Sequence, residues 1–154
     1  MKTSSRGFTL IEILIVVAII AILASVVLVG LGPTQAKGRD ARRISDLQET
    51  QNALELYYNK NGSYPNVTQT GSAGWAQLST DITGAGIGIT QPLSNDPTNS
   101  GQYVYYYYSA TPYNSYDIGA CLEGSDPSGY NPITPPSAMG MTCSSVSSTY
   151  VLSM

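Results

Sequence analysis

The sequence contains no histidine, one phenylalanine and one tryptophan, and only 11% of its 154 residues are charged. Without histidine, the chain lacks the side chain that enzymes use most often for proton transfer near neutral pH, and also the commonest metal ligand. No serine stands in the setting of a nucleophile elbow, and the two cysteines are expected to pair. The sequence therefore does not indicate an enzyme, although it leaves open a mechanism that uses only carboxylates.

Positive charge is missing from the C-terminal part of the chain. All seven Lys and Arg residues lie at or before Lys60, and the charged residues beyond it are Asp81, Asp96, Asp117, Glu123 and Asp126. An acidic surface does not attract the phosphates of nucleic acids, and no phosphate-binding loop is present in the sequence. We therefore expect no general nucleic-acid binding.

The N-terminal part is strongly apolar, and Glu12 is the only charged residue between Arg6 and Lys37. Residues 13–31 are nineteen uncharged residues, close to the roughly 20 that cross a bilayer as a helix. They predict a single-pass membrane segment with the basic leader on the cytoplasmic side. A permanent anchor and a signal peptide cut after Ala24 are alternatives. A carboxylate inside a membrane costs roughly 2.5 to 3.5 kcal/mol, so Glu12 requires a partner.

Two helical patterns follow each other along residues 8–62. Gly30, Gly32 and Pro33 interrupt the apolar run and predict a kink or a restart. From Thr34 onwards the pattern is amphipathic, and Asn61-Gly62 predicts its end. Its apolar face comprises Ile44, Leu47, Leu54 and Tyr58, and its polar faces carry Lys37, Arg39, Arg42, Arg43, Asp46, Glu49 and Glu55. Together the patterns predict one very long helix, apolar first and amphipathic second.

The remaining residues predict a small sheet. Residues 66–100 are rich in small polar residues, with Trp75, Leu78 and Ile82 as anchors of a short helix or a packed loop. The segments YVYYYYS (103–109) and SYDIGAC (115–121) flank a turn and predict a hairpin, and residues 149–152 predict a third strand. Alternate tyrosine rings are expected to pack on the helix and on the outer face. The expected fold is α+β, a long helix packed on a small antiparallel sheet.

Cys121 and Cys143 are far from the apolar run, in a region rich in Gly, Ser, Pro and Tyr. In an oxidising compartment they would pair across a loop of about twenty residues, a stabilisation of about 3 kcal/mol. Two buried free thiols are the alternative. We expect the disulfide, because the apolar N-terminus favours export.

Several oxygen-bearing side chains in the same region are candidate calcium ligands: Asp96, Asp117, Glu123 and Asp126, with Asn95 and Asn99. They lack the spacing of an EF-hand loop. Turn formation at Asp96-Pro97 and Asp126-Pro127 is the simpler interpretation. We therefore expect no metal and no cofactor, with calcium as the alternative.

The stretch GFTLIE at residues 7–12 resembles the N-terminal signature of type IV pilins and type II secretion pseudopilins, and the resemblance extends over residues 6–65. It implies a pilin-like fold and cleavage between Gly7 and Phe8 by an inner-membrane prepilin peptidase, which then methylates the amine of Phe8. The implied divisions are a leader (1–7), a membrane and filament-core helix half (8–32), an amphipathic half (33–62) and a globular part with the disulfide-bounded loop (63–154).

Cleavage would also provide a partner for Glu12. It creates an α-amino group on Phe8, so each subunit carries one cation and one anion near the end of one helix. If neighbouring helices are staggered axially, the Phe8 amine of one subunit can meet the Glu12 carboxylate of the next. Removing one member of a buried pair costs about 3 to 5 kcal/mol, so Glu12 would register subunits during growth. The resemblance likewise implies that this glutamate is needed for subunit recruitment.

The first functional hypothesis is a pilin that polymerises into a type IV pilus-like surface filament, since the cysteine pair resembles the disulfide-bounded loop of many pilins. The alternative is a type II secretion pseudopilin, which forms a periplasmic piston and often binds calcium. A second alternative is a membrane-anchored binding module that never polymerises. The implied partners are further copies of the chain, the prepilin peptidase and an inner-membrane assembly platform. The implied location is the inner membrane for the precursor and then the cell surface.

Overall fold

The structure is a computed structural model that describes residues 7–124, 137–144 and 149–154, without the side chains of residues 26–31. Its elements are helix α1 (Leu10–Asn61), helix α2 (Gly71–Gly84), strands β1 (Tyr105–Tyr108) and β2 (Asp117–Cys121), a 3-10 turn (Ser137–Met139) and strand β3 (Thr149–Ser153). The chain divides into two compact units, Met1–Ala36 and Lys37–Met154. The predicted α+β, pilin-like fold is confirmed.

Helix α1 is a single helix of 52 residues, and Pro33 lies inside it. The predicted single long helix is therefore confirmed, and a restart at Pro33, one of the two alternatives predicted there, is wrong. A proline inside a helix lacks one hydrogen-bond donor and crowds the carbonyl four residues earlier, at a cost of about 3 kcal/mol. Extending an existing helix costs far less free energy than starting a new one. The helix therefore continues past the proline, because long helical stretches lie on both sides of it.

The helical part of the first unit exposes its apolar side chains. Twelve large apolar side chains from Phe8 to Leu23 are between 50% and 83% exposed. Residues 13–31 are predicted to cross a membrane. In the parts of the chain that the structure describes, no helix combines the length and the apolar character that crossing a membrane requires.

The end of α1 follows the sequence prediction. The helix ends at Asn61, and Gly62 adopts a left-handed conformation with φ of 72°. The Gly62 N–H donates to the Tyr58 carbonyl at 2.8 Å, and the Asn61 amide donates to the Tyr57 carbonyl at 3.0 Å. Glycine adopts this conformation at little cost, so it closes the helix and satisfies its last carbonyls.

Helix α2 forms where a short helix or a packed loop is predicted. Trp75, Leu78 and Ile82 are buried on one face, and the indole N–H of Trp75 donates to the Ser94 carbonyl at 2.9 Å. The Lys60 ammonium donates to the carbonyls of Ala85 at 2.6 Å and Gly86 at 3.1 Å. The negative, C-terminal end of the α2 dipole favours a cation at this position.

The sheet has the order β1-β2-β3, and both pairings are antiparallel. Tyr105 pairs with Ala120, and Ile118 pairs with Leu152. The hairpin and the third strand predicted from the sequence are thus confirmed.

Successive side chains of the sheet enter two different cores, as the period of a strand requires. On one face, Tyr105 and Tyr107 pack in a cluster with Leu47 and Leu54 of α1 and with Trp75 of α2. On the other face, Tyr106 packs in a second cluster with Val104, Cys121, Met139, Met141 and Val151. The predicted division of the tyrosine rings between the helix and the outer face is confirmed.

Candidate processing and assembly site

The predicted cleavage position lies immediately before α1. Phe8 is 83% exposed, and a Cβ atom placed on Gly7 would meet nothing within 4 Å. The two residues lie outside the helix, and exposed, non-helical backbone is the form that proteases cleave. Residues 1–6 of the predicted leader lie outside the described residues.

Thr9 and Glu12 form a capping box at the start of α1. The Thr9 backbone N–H donates to Glu12 Oε2 at 2.8 Å, and the Thr9 hydroxyl donates to the same oxygen at 2.7 Å. The Glu12 N–H donates in return to Thr9 Oγ1 at 3.3 Å. This reciprocal pattern satisfies donors that the first turn of a helix leaves open. Thr9 is not among the site residues predicted from the sequence, although the Thr-x-x-Glu spacing is a signal for it.

The capping box directs Glu12 towards the predicted cleavage position. Both bonds from Thr9 end on Oε2, and no donor within the described residues reaches Oε1. Glu12 therefore has a partner in its own chain and one carboxylate oxygen that can accept a further bond. The pairing of Glu12 with the Phe8 amine of a neighbouring subunit stays a prediction.

The predicted calcium ligands are only partly brought together. Asp96 and Glu123 meet at one place in the second unit, whereas Asp117 accepts a hydrogen bond from Ser153 on the neighbouring strand. Asn95 and Asn99 are exposed. Asp126 lies outside the described residues.

Asp96 and Glu123 meet around Arg43, in what we call the Arg43 cluster: Arg39, Asp40, Arg43, Asp96 and Glu123. Asp96 takes two bonds from the guanidinium, at 2.6 and 3.0 Å. Asp40 takes one at 2.7 Å, Glu123 one at 2.9 Å and the Thr98 hydroxyl one at 3.0 Å. These bonds use all five donors of the guanidinium.

Asp96 has a second role in its own loop. Its Oδ1 accepts the backbone N–H of Thr98 at 2.8 Å and that of Asn99 at 3.3 Å. This arrangement agrees with the predicted turn formation at Asp96-Pro97. The same carboxylate thus shapes the loop and anchors it to α1.

The charges of the cluster stabilise one another. Hydrogen bonds from Arg39, and then from Arg43, lower the pKa of Glu123 to about 2 against the opposing effect of burial. Burial opposes the charge of Arg43, but its bonds to Asp96, Glu123 and Asp40 outweigh burial and raise its pKa. Glu123 and Arg43 are therefore both charged in the folded chain near neutral pH.

The sequence pattern predicts Arg43 on a polar face of the helix, and this is wrong, because the Arg43 side chain has no exposed surface. The prediction of an exposed position is wrong because carboxylates distant in the sequence neutralise the charge of Arg43 inside the fold. Of these partners, only Asp40 is close enough in sequence, three residues earlier, to give a local signal.

Cys121 and Cys143 form the predicted disulfide, with their Cα atoms 5.4 Å apart. Cys121 ends β2, and two residues later Glu123 enters the Arg43 cluster. The end of β2 is therefore held on one side by a covalent bond and on the other by ion pairs to α1.

Comparisons with known proteins agree with the N-terminal signature. The family described as "Prokaryotic N-terminal methylation motif" matches residues 2–28. The chain is 41% identical over 64 residues to the "Type II secretion system core protein G" of Escherichia coli (strain K12), covering 42% of this chain and 44% of that protein. It is 32% identical over 100 residues to the protein of the same name from Vibrio cholerae, covering 64% and 59%.

A fimbrial protein is also similar. The chain is 39% identical over 84 residues to the "Fimbrial protein" of Neisseria meningitidis serogroup A, covering 54% of this chain and 48% of that protein. The chain spans about half the length of the curated relatives it matches. No solved structure matches. In its methylation motif, its relatives and its long helix packed on a small antiparallel sheet, the chain is similar to type IV pilins and type II secretion pseudopilins.

Proposed function

We propose that the chain is a subunit of a helical filament with a structural role and not an enzymatic one. It is made as a precursor held in the inner membrane, and the prepilin peptidase cuts it between Gly7 and Phe8 and methylates the new amine. An assembly platform then adds it to copies of itself. The geometry of Gly7, Phe8 and Thr9 supports this cleavage, because the Gly7–Phe8 peptide bond lies in exposed, non-helical backbone just before a capped helix.

The observation that carries this proposal is the exposed apolar surface at the start of α1. Twelve large apolar side chains from Phe8 to Leu23 are half exposed or more. Burying one such side chain is worth about 1.5 to 3 kcal/mol, and soluble monomers rarely expose an apolar surface of this extent. Contact with the same segment of other copies would remove this surface from water. The burial of this apolar surface would thus drive the first unit to assemble with other copies.

Glu12 would set the register of that assembly. Apolar side chains of similar size slide past one another at little cost, because no contact fixes the axial position. A carboxylate with one oxygen open to a further donor, held near the new Phe8 amine, supplies a directional contact between neighbouring helices. The capping box keeps that carboxylate in place before assembly.

Between the two kinds of filament, we place the pseudopilin of a type II secretion system first. Two of the three relatives described above carry that name, and the Vibrio cholerae protein matches the longest stretch of this chain among them. The surface pilus becomes the second function. It is supported by the fimbrial relative and by the disulfide-bounded loop after β2.

The test of processing and assembly is the intact mass and N-terminal sequence of the protein in sheared surface material and in the membrane. A chain beginning at methylated Phe8 and recovered in filaments is the expected result. Gly7→Leu should block cleavage. Ser5→Ala, the control two residues earlier in the same predicted leader, should not. A full-length chain, or one beginning near Ser25, would contradict the proposal.

A deletion strain separates the two filaments. Loss of the pseudopilin leaves exported enzymes trapped in the periplasm, whereas loss of the pilin removes surface fibres and leaves export intact. We expect the first result. Normal export combined with loss of surface fibres would make the chain a pilin, and no change in either would leave it as an anchored module.

A further inference from the structure

The Arg43 cluster joins three separate parts of the second unit. Arg43 and Asp40 lie on α1, Asp96 lies in the loop after α2, and Glu123 lies just beyond β2. The side chains of Arg43 and Asp96 have no exposed surface. Joining loops through a buried positive centre surrounded by oxygen atoms is what a structural calcium ion does in other proteins.

The oxygen atoms around the guanidinium are of the kind that calcium takes. Both oxygens of Asp96, one each of Asp40 and Glu123, and the Thr98 hydroxyl lie between 2.6 and 3.0 Å from its nitrogen atoms. The Arg43 side chain fills the space between them. Among the described residues, no group of three or more His, Cys, Asp and Glu side chains is arranged to hold a metal ion.

We infer that the guanidinium of Arg43 occupies the place of a structural metal ion, so that the Arg43 cluster carries its own cation and does not take up calcium. The charges support this inference, since two guanidinium groups already face three carboxylates. A divalent ion added to this closed set would have to displace Arg43 from all five of its bonds. The inference holds whichever filament the chain builds.

Removing the guanidinium should therefore create a calcium response. In Arg43→Ala, Asp96 and Asp40 lose their buried cation and their oxygen atoms face an empty space of its size. Calcium would restore the missing charge and bind those oxygen atoms, with water completing its six to eight ligands. The wild-type chain has no such vacancy.

The experiment is thermal unfolding of the full chain in detergent, in EGTA and in millimolar calcium. Trp75 is the only tryptophan and is 2% exposed, so its fluorescence reports the second unit. We expect the wild-type melting temperature to change by less than about 1 °C, and that of Arg43→Ala to rise by at least about 4 °C with calcium. Arg39→Ala is the matched control, because it removes the more exposed guanidinium of the same cluster and leaves Arg43 in place.

Terbium provides an independent readout, because it takes calcium sites and emits when a nearby tyrosine is excited. The ring of Tyr103 lies 4.9 Å from the guanidinium carbon of Arg43. Arg43→Ala should give a terbium signal that calcium displaces, and adding Asp96→Asn to it should abolish the signal. The wild-type chain should give none.

Two results would overturn the inference. One is a calcium-dependent rise in the melting temperature of the wild-type chain, and the other is no calcium response in Arg43→Ala. If Arg43→Ala does not fold in EGTA, refolding is followed as calcium is added. Recovery of the native Trp75 fluorescence then supports the inference, and failure to recover it rejects the inference. None of these results bears on cleavage at Gly7, which the mass measurement tests separately.

Discussion

The two units of the chain differ in which side chains they expose and which they bury: the first exposes apolar side chains, and the second buries charged ones. In the first unit, leucine, isoleucine and valine side chains between Phe8 and Leu23 are exposed, and in the second an arginine and two aspartates are buried. An extensive exposed apolar surface and a buried charge each cost free energy, so each is found only where another interaction offsets that cost. In the second unit the compensation is internal, through five hydrogen bonds to one guanidinium. In the first unit it would be external, because contact with other molecules would cover those exposed side chains.

The two units should therefore respond to mutation in different assays. Substitutions in the first unit should change assembly and leave the stability of the second unit unaltered. Substitutions inside the second unit should change its free energy of unfolding. Four predictions test this difference, from the largest expected effect to the smallest.

Glu12→Gln should abolish assembly without weakening the fold. Glutamine can still close a capping box but carries no charge, so this change separates the ionic contact from the helix cap. The loss of one partner of a buried pair, about 3 to 5 kcal/mol, predicts at least about a hundredfold fewer filaments. Quantitative immunoblots of sheared filaments measure the effect. Glu49→Gln, an exposed carboxylate on the same helix, is the control, and normal filaments from Glu12→Gln would contradict the registration role.

The same substitution at two positions of α1 contrasts the units directly. Leu54→Ala removes a fully buried side chain and should lower the free energy of unfolding by about 2 to 5 kcal/mol. Leu14→Ala removes one that is 56% exposed and should change this quantity by less than about 0.5 kcal/mol. Denaturant unfolding followed by Trp75 fluorescence provides both values. Equal effects at the two positions would mean that the first unit is stabilised by the second.

Two glycines make a matched pair inside the second unit. A Cβ atom on Gly119 would lie 2.9 Å from the Tyr150 carbonyl oxygen, so Gly119→Ala should cost about 1 to 3 kcal/mol. A Cβ atom on Gly38, within α1, would meet nothing within 4 Å, so Gly38→Ala should stabilise by about 0.5 to 1 kcal/mol. We expect the two substitutions to change the free energy of unfolding, measured with denaturant, in opposite directions. A stabilising Gly119→Ala would show that β2 and β3 can move apart without cost.

Acid should weaken the second unit through Glu123. The pKa of this group is about 2 in the folded chain and about 4.5 ordinarily, so the unfolded chain binds the proton more tightly. Its stabilising contribution is complete above about pH 4.5 and is lost as the pH falls towards 2. We expect a loss of about 1 kcal/mol from this group between about pH 5 and pH 3.5. Glu123→Gln should have a shallower pH dependence over this range, and an unchanged slope would reject the assignment.

Much of the second unit could be predicted because its signals are local. The tyrosine-rich run at residues 103–109 alternates between two faces, and both faces are covered in the structure. The Asn61-Gly62 stop and the anchor Trp75 are equally short-range features. Each of these depends on the nearest few residues, which is the range over which sequence patterns carry information.

The burial of Arg43 could not be predicted from the helical pattern. Its partners Asp96 and Glu123 are 53 and 80 residues away, and no periodicity links an arginine to carboxylates at such distances. The restart predicted at Pro33 is wrong for another reason, because the rule for proline considers one residue and not the long helix on both sides of it. Thr9 is different again, because its spacing to Glu12 gives a usable signal for a helix cap.

The bonds that Asp40 makes with the segment after β2 determine how the second unit would bear a pulling force. The two carboxylate oxygens of Asp40 accept the backbone N–H groups of Glu123 and Gly124, at 3.0 and 2.9 Å. Tension applied to the chain beyond Gly124 would reach α1 through these bonds before it could peel β2 away from its neighbours. The disulfide at Cys121 provides a second, covalent path on the other side. A pull on the chain beyond Gly124 would thus load helix α1 before the sheet.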